Sequence, residues 1–429
     1  MAGHIRPEPA LSAATSRTSS ASLFTPILIG GSIILLINFS LRASFGIFQI
    51  PIASEFDWPR SEFSMAIAIQ NLAWGFGQPL FGALAERWGD RVSIILGVIL
   101  YAAGLIFSAM SVTPGAIQFW EIAVGFGIAG TGFGVILAIV GRAASDENRS
   151  LALGIATAAG SAGQVVGPPL AEFLLGQMGW QGVFMVFAGI ACTMLLFLPL
   201  LGPSRPAATR AELEESLGTV LKRAFRDPSY LMIFAGFFSC GYQLAFVTAH
   251  FPAMVTQMCS PIEAGGLLAS MGISTTSQLG AWAIALIGVA NIAGSILAGW
   301  LGNRYSRKYL LAGIYTLRTI AAAAFILSPI TPASVLIFSA VMGSLWLATV
   351  PLTSGLVAYI YGLRYMGTLY GFVFLSHQLG SFLGVWLGGK MFDLYGDYTI
   401  VWWVGVGVGA FSALIHLPVR ERPMGLQPA

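Results

Sequence analysis

The sequence predicts an all-α membrane protein with twelve transmembrane helices in two pseudo-symmetric halves of six. Of its 429 residues, 56% are hydrophobic and 9% are charged, whereas soluble domains carry about 25% charge. A chain of this composition cannot cover a water-facing surface, so its outer surface must face lipid. Twelve apolar stretches follow one another along the chain, and the second six repeat features of the first six.

The apolar stretches are each near the ~20 residues that a helix needs to span a bilayer. They lie at residues 24–50, 61–85, 92–111, 116–141, 151–175, 181–202, 229–256, 278–302, 309–328, 332–360, 366–390 and 398–418. Residues 1–22 are polar, rich in Ser, Ala and Pro, and are predicted to be a disordered tail. The predicted organisation is therefore a first half at 23–202, a polar linker at 203–228, a second half at 229–418 and a tail at 419–429.

The distribution of basic residues predicts the orientation in the membrane. With the amino terminus in the cytoplasm, most Lys and Arg residues fall in cytoplasmic segments, and the outside keeps only Arg60 and Lys390. Both tails and the linker are then cytoplasmic. Arginine far outnumbers lysine, which is typical of GC-rich bacterial coding, so the expected location is a bacterial inner membrane.

An internal repeat links the two halves. Sliding the second half back by 217 residues superposes many identical residues, and the shift is constant across spans two and five and their partners. The superposed glycine pairs are Gly77 and Gly294, Gly82 and Gly299, Gly154 and Gly371, Gly163 and Gly380, Gly167 and Gly384, and Gly179 and Gly396. Such a repeat is the sequence mark of many transporters.

The first spans of the two halves align at a smaller offset, 201 residues, which sets Gln49 on His250 and Pro51 on Pro252. His250 lies in the segment CGYQLAFVTAHFPAM, where a histidine and a proline interrupt an apolar helix. A proline frees backbone carbonyls, which are tolerated at membrane depth only beside protein or water. This position predicts a cavity rim or an outer gate.

The segment GALAERWGDR, Gly82–Arg91, resembles the loop between spans two and three of the major facilitator superfamily, and GWLGNRYSRK, Gly299–Lys308, resembles its second copy. The resemblance covers nearly the whole chain in span count, linker position and orientation. It implies the major facilitator fold and a cytoplasmic charge latch that releases as the halves rock. The implied latch residues are Glu86, Arg87, Gly89, Arg91 and Arg304, and the second copy has Asn303 where an acid is expected.

A narrower resemblance joins the chain to the monocarboxylate transporters and their bacterial oxalate/formate relatives. It rests on RSLALGIATAAGSAGQ (Arg149–Gln164), GWQGVF (Gly179–Phe184) and EFDWPRSEFS (Glu55–Ser64). The chain departs from those carboxylate transporters in span eight, where Asn291 stands in place of a charged pair. It departs again in span four, where Glu121 stands where many superfamily members have arginine.

Ionisable residues near the middle of a bilayer are costly, so they are functional candidates by default. Those in this chain are all basic: Arg42 in span one, His250 in span seven, Arg318 in span nine and His377 in span eleven. The acids Glu121 and Glu172 are expected near the outer ends of their spans. A cavity with permanent positive charge and no deep carboxylate favours a small organic anion. The predicted substrate-binding residues are Arg42, Gln49, Gln243, His250, Asn291, Arg318 and His377.

Each candidate also has a structural interpretation. Arg42 either binds substrate or pairs with an acid such as Glu121, and Arg318 and His377 either face the cavity or bond to neighbouring helices. Coupling is either proton symport through His250 or His377, because histidine titrates near neutral pH, or anion exchange, which needs no proton group. The alternative cargo is a neutral or amphipathic solute, such as an aromatic vitamin or a drug.

Other protein classes fit less well. The chain has no GxxxxGK[ST] loop for nucleotides, no nucleophile–base set and no metal cluster, so we expect neither an enzyme nor a cofactor. A transporter-like sensor would carry a sizeable appended domain, and the tails are short. The expected partners are a small-molecule substrate and the lipid bilayer, with no nucleic acid, and the expected functional unit is a monomer.

Overall fold

The computed structural model describes residues 24–144, 149–202, 217–361 and 366–422, and every regular element in them is helical. The helices are α1 (Pro26–Ala43), α2 (Gln49–Phe56), α3 (Arg60–Trp88), α4 (Asp90–Ala109), α5 (Pro114–Thr131), α6 (Phe133–Ala143), α7 (Arg149–Thr193), α8 (Leu217–Ala224), α9 (Pro228–Met258), α10 (Leu267–Ser270), α11 (Thr276–Gly302), α12 (Arg307–Leu327), α13 (Pro332–Leu345), α14 (Thr349–Tyr361), α15 (Met366–Tyr395) and α16 (Thr399–His416). Short 3-10 helices occupy Phe45–Phe48 and Met194–Leu201. The predicted tail at 1–22, linker residues 203–216 and the end of the second tail, 423–429, lie outside the described residues.

Several helices begin at the same local signal, a capping residue followed by proline. Thr25, Thr113, Asp227 and Thr331 each precede a proline, and each side chain accepts a hydrogen bond from a backbone N–H of the first turn. Proline fits the first helical position because its missing N–H would have no partner there. The cap satisfies one of the remaining N–H groups.

The helix lengths are consistent with the predicted twelve spans. Nine helical stretches in the described part of the chain are long and apolar enough to cross a membrane. One of them covers 50 residues, Ala152–Leu201, and Gly179, with φ of +70°, interrupts its helical geometry. This stretch is long enough for two spans. Helices α3 and α15, with 29 and 30 residues, have the length of the remaining two.

Two spans are broken at equivalent places in the two halves. The fourth span breaks at Gly132, between α5 and α6, and the tenth breaks between Leu345 and Thr349, where α14 begins. The offset of 217 residues sets Gly132 on Thr349. Broken helices inside a bilayer need other partners for their backbone groups. In the tenth span, Asn291 Oδ1 accepts a hydrogen bond of 2.9 Å from the N–H of Leu347.

Because an even number of spans returns the chain to its starting side, Phe24 and Arg422 lie at the same end of the bundle. We name this end the termini side and the opposite end the far side. Bulky side chains form two cores, each mostly within one half, and glycines let helices approach closely. A methyl group on Gly167 would lie 2.0 Å from the carbonyl oxygen of Ser40, and one on Gly384 would lie 2.4 Å from that of Tyr242.

The two halves pack against each other through α3 and α15 and through α7 and α11. On the far side, a Cβ atom on Gly389 would lie 2.3 Å from Ser64 Oγ. At mid-depth, one on Gly75 would lie 2.8 Å from the Cβ of Gln378, and one on Gly288 would lie 3.0 Å from the Cβ of Gln164. The halves are therefore in close contact at these points. Between them on the far side a cleft remains, lined by Ile47, Ile50, Pro51, Leu175, Pro252, Ala253, Thr256 and Ser277.

Toward the termini side this contact ends. Continuing the antiparallel register of each helix pair places Gly82 opposite Gly371, and Gly154 opposite Gly299. A Cβ atom on any of these four glycines would meet nothing within 4 Å. The open space at these positions indicates that the two halves are farther apart toward the termini side than at mid-depth.

Candidate functional site

Both halves contribute to a small pocket near the middle of the bundle, which we name the Arg42 pocket. The first half supplies α1, the following 3-10 helix and α3, and the second half supplies α9. The lining residues are Arg42, Phe45, Gly46, Ile67, Gln70, Asn71, Ala245, Thr248 and Ala249. A site shared by two halves can change its access when the halves move, which is the geometry of alternating access.

Arg42 is the charged residue of this pocket, and its side chain is partly exposed. Its Nη2 donates a hydrogen bond of 3.1 Å to Asn71 Oδ1, and its guanidinium carbon lies 4.6 Å from the centre of the Trp74 ring. Within the described residues no carboxylate lies within ion-pair distance of Arg42, so the structural pairing with Glu121 is not formed. Arginine presents a planar set of N–H donors that suits a carboxylate.

Glu121 lies behind the pocket wall and is fully buried, although the sequence suggested a place near the outer end of its span. Gln70 Nε2 donates a hydrogen bond of 2.6 Å to Glu121 Oε2, and Ser108 Oγ lies 3.3 Å from Oε1. Because Gln70 also lines the pocket, a polar connection runs from the pocket to the buried acid.

The structure places Gln49 and His250 on the far side of the pocket, without making them part of its lining. Gln49 Nε2 donates to Ser64 Oγ at 3.0 Å. His250 is fully buried, and its Nε2 lies 2.7 Å from the carbonyl oxygen of Val385, which can only accept, so this nitrogen carries the hydrogen. Each side chain therefore ties the first span of its half to a neighbouring helix.

Asp393 joins the two halves on the far side. Its carboxylate accepts hydrogen bonds from the backbone N–H groups of Arg60 at 2.7 Å and Ser61 at 2.9 Å, at the start of α3. The Arg60 side chain in turn donates to Tyr398 Oη at 2.8 Å and lies over the Phe392 ring at 3.9 Å. A residue of the second half thus caps a helix of the first half, where the helix dipole favours negative charge.

We expect Asp393→Ala to shift the protein toward a state that is open on the far side. Loss of a helix cap costs about 1–2 kcal/mol, a change of roughly 5- to 30-fold in the ratio of two states. Distances between spin labels at Ser54 and Tyr395 measure the shift. Asp397→Ala is the matched control, because Asp397 caps Thr399 within its own half at 2.9 Å. Equal distance distributions in the two variants would contradict the prediction.

Asn291 lies at the contact between α7 and α11. Its Nδ2 donates to Ser161 Oγ of the first half at 2.9 Å, while its Oδ1 accepts from Leu347 N–H and from Ser295 Oγ at 3.0 Å. Every hydrogen-bonding position of this buried amide except one N–H is therefore used within the protein. Its place is a junction between halves, outside the lining of the Arg42 pocket.

Arg318, Gln243 and His377 lie inside the second half. Arg318 is fully buried and donates from Nη1 to Cys240 Sγ at 3.4 Å, and its Nε and Nη2 have no hydrogen-bond partner. Gln243 Nε2 donates to the carbonyl oxygen of Gly405 at 2.8 Å. His377 is 6% exposed and stacks on Phe374, with the ring centres 5.5 Å apart. None of the three lines the Arg42 pocket, and their roles in substrate binding stay predictions.

The latch region lies at the termini side, and the side chains of Glu86 and Arg87 are outside the described residues. Gly89 has φ of +97°, a conformation that favours glycine, and it separates α3 from α4. The neighbouring acid Asp90 binds Arg142 Nη2 at 2.6 Å. Arg91 is exposed, and Arg304 lies 4.0 Å from the centre of the Trp300 ring. The charge latch as a unit stays a prediction.

In the second copy of this loop, Gly299–Lys308, a carboxylate from the end of the chain binds near the start of α12. Glu421, after α16, accepts hydrogen bonds from Ser306 Oγ at 2.5 Å and from the backbone N–H groups of Arg307 at 3.1 Å and Lys308 at 3.3 Å. Partial burial alone would raise the pKa of Glu421, but these hydrogen bonds outweigh it and lower the pKa below its ordinary value. Glu421 of the carboxyl-terminal segment thus binds the start of α12, next to the loop that contains Asn303.

Sequence reasoning singled out Arg42 but missed its neighbours Gln70 and Asn71 and the far-side contact of Asp393. The adjacent amides in IAIQNLAW were a usable signal, because two polar residues interrupt an apolar span. Pro59, the residue before α3, makes no side-chain cap, but this gives no indication that the cap comes from Asp393.

Comparison with known proteins agrees with this architecture. A family model described as Major Facilitator Superfamily matches residues 30–283 and 264–429. The uncharacterized MFS-type transporter YcxA of Bacillus subtilis is 25% identical over 395 residues, covering 88% of this chain and 90% of the relative. Monocarboxylate transporter 13 of Bos taurus is 23% identical over 395 residues, covering 89% and 86%.

Two solved structures show the same fold at low sequence identity. The nucleoside transporter NupG has a TM-score of 0.72 at 16% identity, covering 92% of this chain and 99% of that chain. The xylose transporter XylE from E. coli, in an inward open conformation, has a TM-score of 0.70 at 15% identity, covering 94% and 98%. The resemblance found in the sequence is confirmed, and because the family model spans most of its length, the chain belongs to the Major Facilitator Superfamily of membrane transporters.

Proposed function

We propose that the protein is a secondary active transporter that moves a small, monocarboxylate-like organic anion by alternating access. The observation that carries the proposal is Arg42, a permanent cation without a carboxylate partner in the described residues, facing a pocket that both halves line. A substrate carboxylate would complete this ion pair. Relatives named monocarboxylate transporters support the substrate class.

The arrangement of the halves supports the transport mechanism. On the far side the halves are joined by Asp393 and by the close approach of Gly389 to Ser64, while the glycines near the termini side meet no opposing atoms. The excess of basic residues in the termini-side segments assigns that side to the cytoplasm. With that orientation we propose that this is the inward-facing state, and that the protein lies in a bacterial inner membrane.

Ligand-induced thermal shifts of the purified protein test the substrate class, because a ligand that binds the folded state raises its melting temperature. We expect acetate, lactate, pyruvate or benzoate to stabilise the protein, and the corresponding amides to have no effect. Arg42→Gln should weaken carboxylate binding by about 10- to 100-fold, since hydrogen bonds to charged groups contribute about 1.5–3 kcal/mol. Arg42→Lys is the control, because it keeps the charge without the planar donor set.

Stabilisation by the amides and not by the acids would contradict the anion proposal. It would favour the alternative cargo, a neutral or amphipathic solute, for which the apolar wall of Phe45, Ile67 and Ala245 is suited. The melting transition without ligand is measured in every variant. If Arg42→Gln loses this transition as well as carboxylate binding, the variant is misfolded.

The coupling mechanism is either proton symport or anion exchange, and His250 and His377 are the histidine candidates for the coupled proton. Replacing each histidine by glutamine removes its titratable ring and keeps a polar side chain. If either histidine couples, we expect the corresponding variant to lose the dependence of uptake on external pH. Unchanged pH profiles in both variants would overturn the assignment of the proton to histidine.

A further inference from the structure

A buried acid next to the Arg42 pocket has no role in the function described so far. Glu121 is 0% exposed, and within the described residues no cation lies within ion-pair distance of its carboxyl group. An ionised carboxyl group inside a membrane protein is costly unless it is paired, whereas the neutral acid is tolerated more easily. Glu121 can therefore be ionised or neutral, and the two forms differ in how well the buried surroundings tolerate their charge.

The hydrogen bonds of Glu121 suit both states. Gln70 Nε2 donates to Oε2 at 2.6 Å, and Ser108 Oγ lies 3.3 Å from Oε1. The serine hydroxyl can donate to the carboxylate or accept from the protonated acid. A proton can thus be taken up at Oε1 without loss of the Gln70 contact.

Gln70 and Asn71 connect this acid to the substrate side. Both residues line the Arg42 pocket, Asn71 Oδ1 accepts from Arg42, and Gln70 donates to Glu121. The partner of the cation and the partner of the acid are therefore adjacent residues of α3.

Other titratable groups around Glu121 are few. Tyr101 of α4 is within electrostatic range of both Arg42 and Glu121. Glu62 at the start of α3 is bound by Gln118 Nε2 at 2.9 Å. On the remaining packed helices, α1 carries Arg42, and Arg142 of α6 is paired with Asp90 of α4 at the termini side. Exposed Arg91 also lies at that end of α4.

We propose that Glu121 binds the proton that accompanies an anion into the Arg42 pocket. Glu121 would be ionised in the empty state, where Arg42, beyond ion-pair distance but close to the same Tyr101, provides the compensating charge. An anion that pairs with Arg42 adds one negative charge to a region of low dielectric constant, and one proton on Glu121 restores the balance. One anion and one proton then move together. This inference rests on the proposed anion transport and assigns its coupling ion and proton site.

Transport in proteoliposomes tests the assignment with pyruvate as the probe. We expect Glu121→Gln, which resembles the protonated acid, to exchange pyruvate across the membrane but to lose accumulation driven by a pH gradient. Glu62→Gln is the matched control and should accumulate pyruvate as the wild type does, because Glu62 is bound by Gln118 and is not connected to the pocket. Gradient-driven accumulation by Glu121→Gln at the wild-type level would overturn the proposal.

Infrared difference spectroscopy of the ligand-free protein provides a test that does not depend on the cargo. The carboxylic acid band present in the wild type and absent in Glu121→Gln should lose intensity as the pH is raised, because the acid ionises. In Arg42→Gln the band should persist to higher pH, because the compensating cation is gone. A missing band, or an identical titration in both backgrounds, would overturn the inference. If the titrations behave as expected and the carboxylate screen fails, the proposed cargo is wrong and the proton site stands.

Discussion

Replacing Gly46 by valine is expected to abolish transport while leaving both halves folded. Gly46 lies in the 3-10 helix after α1, against α9 of the other half. A Cβ atom there would lie 2.2 Å from the carbonyl oxygen of Thr248 and 3.0 Å from that of Ala249. Backbone atoms of a packed helix cannot move away as a flexible side chain can. The far side therefore cannot close, and the sealed state is lost from the transport cycle.

Two measurements separate this effect from misfolding. Spin labels at Ser54 and Tyr395 should move apart in Gly46→Val, and the thermal unfolding transition should remain cooperative. Gly176→Val is the matched control, because a Cβ at Gly176 meets nothing within 4 Å. Wild-type uptake by Gly46→Val would show that far-side closure tolerates a side chain at this position, contrary to the prediction.

Replacing Gly371 by leucine should also abolish transport, but by blocking closure at the opposite end. In the present state a side chain at Gly371 meets open space, so the melting temperature should stay near that of the wild type. When the termini side closes, the register of α3 and α15 brings Gly371 against Gly82. A leucine at this crossing would hold the helices apart, since close helix contact in membranes depends on small residues.

Labels at Val92 and Tyr305 report on closure of the termini side. We expect a single open distance in Gly371→Leu under all conditions, where the wild type has two. Gly313→Leu is the matched control, since its added side chain also meets nothing within 4 Å but lies on α12, outside the α3–α15 and α7–α11 interfaces. A closed population in Gly371→Leu would refute the assignment of Gly82 and Gly371 to the closing interface.

The sequence predicted the span pattern well because it follows from hydrophobicity, which is local. The offset of 217 residues also identified Gly82 with Gly299 and Gly154 with Gly371 as equivalent positions. It did not reveal that the register of the helix pairs sets Gly82 opposite Gly371 and Gly154 opposite Gly299. A repeat reveals which residues correspond, whereas contacts between halves depend on how the two copies are docked.

Of the residues that form the candidate site, only the charged one, Arg42, could be predicted from the sequence. Arg42 is the one arginine of span one, so its cost in a bilayer marks it. Gln70 and Asn71 are neutral, and their importance follows from their contacts with Glu121 and Arg42. Asp393 caps a helix from the other half of the chain, a separation that no local pattern can encode. The proline near His250 predicted a place at a cavity rim, yet neighbouring side chains bury His250 completely.

The paired glycines have a further consequence, which concerns symmetry. The α3–α15 and α7–α11 contacts are related to each other by the pseudo-twofold axis that relates the two halves. Together they form one isologous interface, like that of a dimer of identical subunits joined into one chain. Substitutions at corresponding positions, such as Gly82 and Gly299, should therefore have equal effects wherever only docking of the halves matters. Any inequality between such twin substitutions measures how far each half has specialised for the transported molecule.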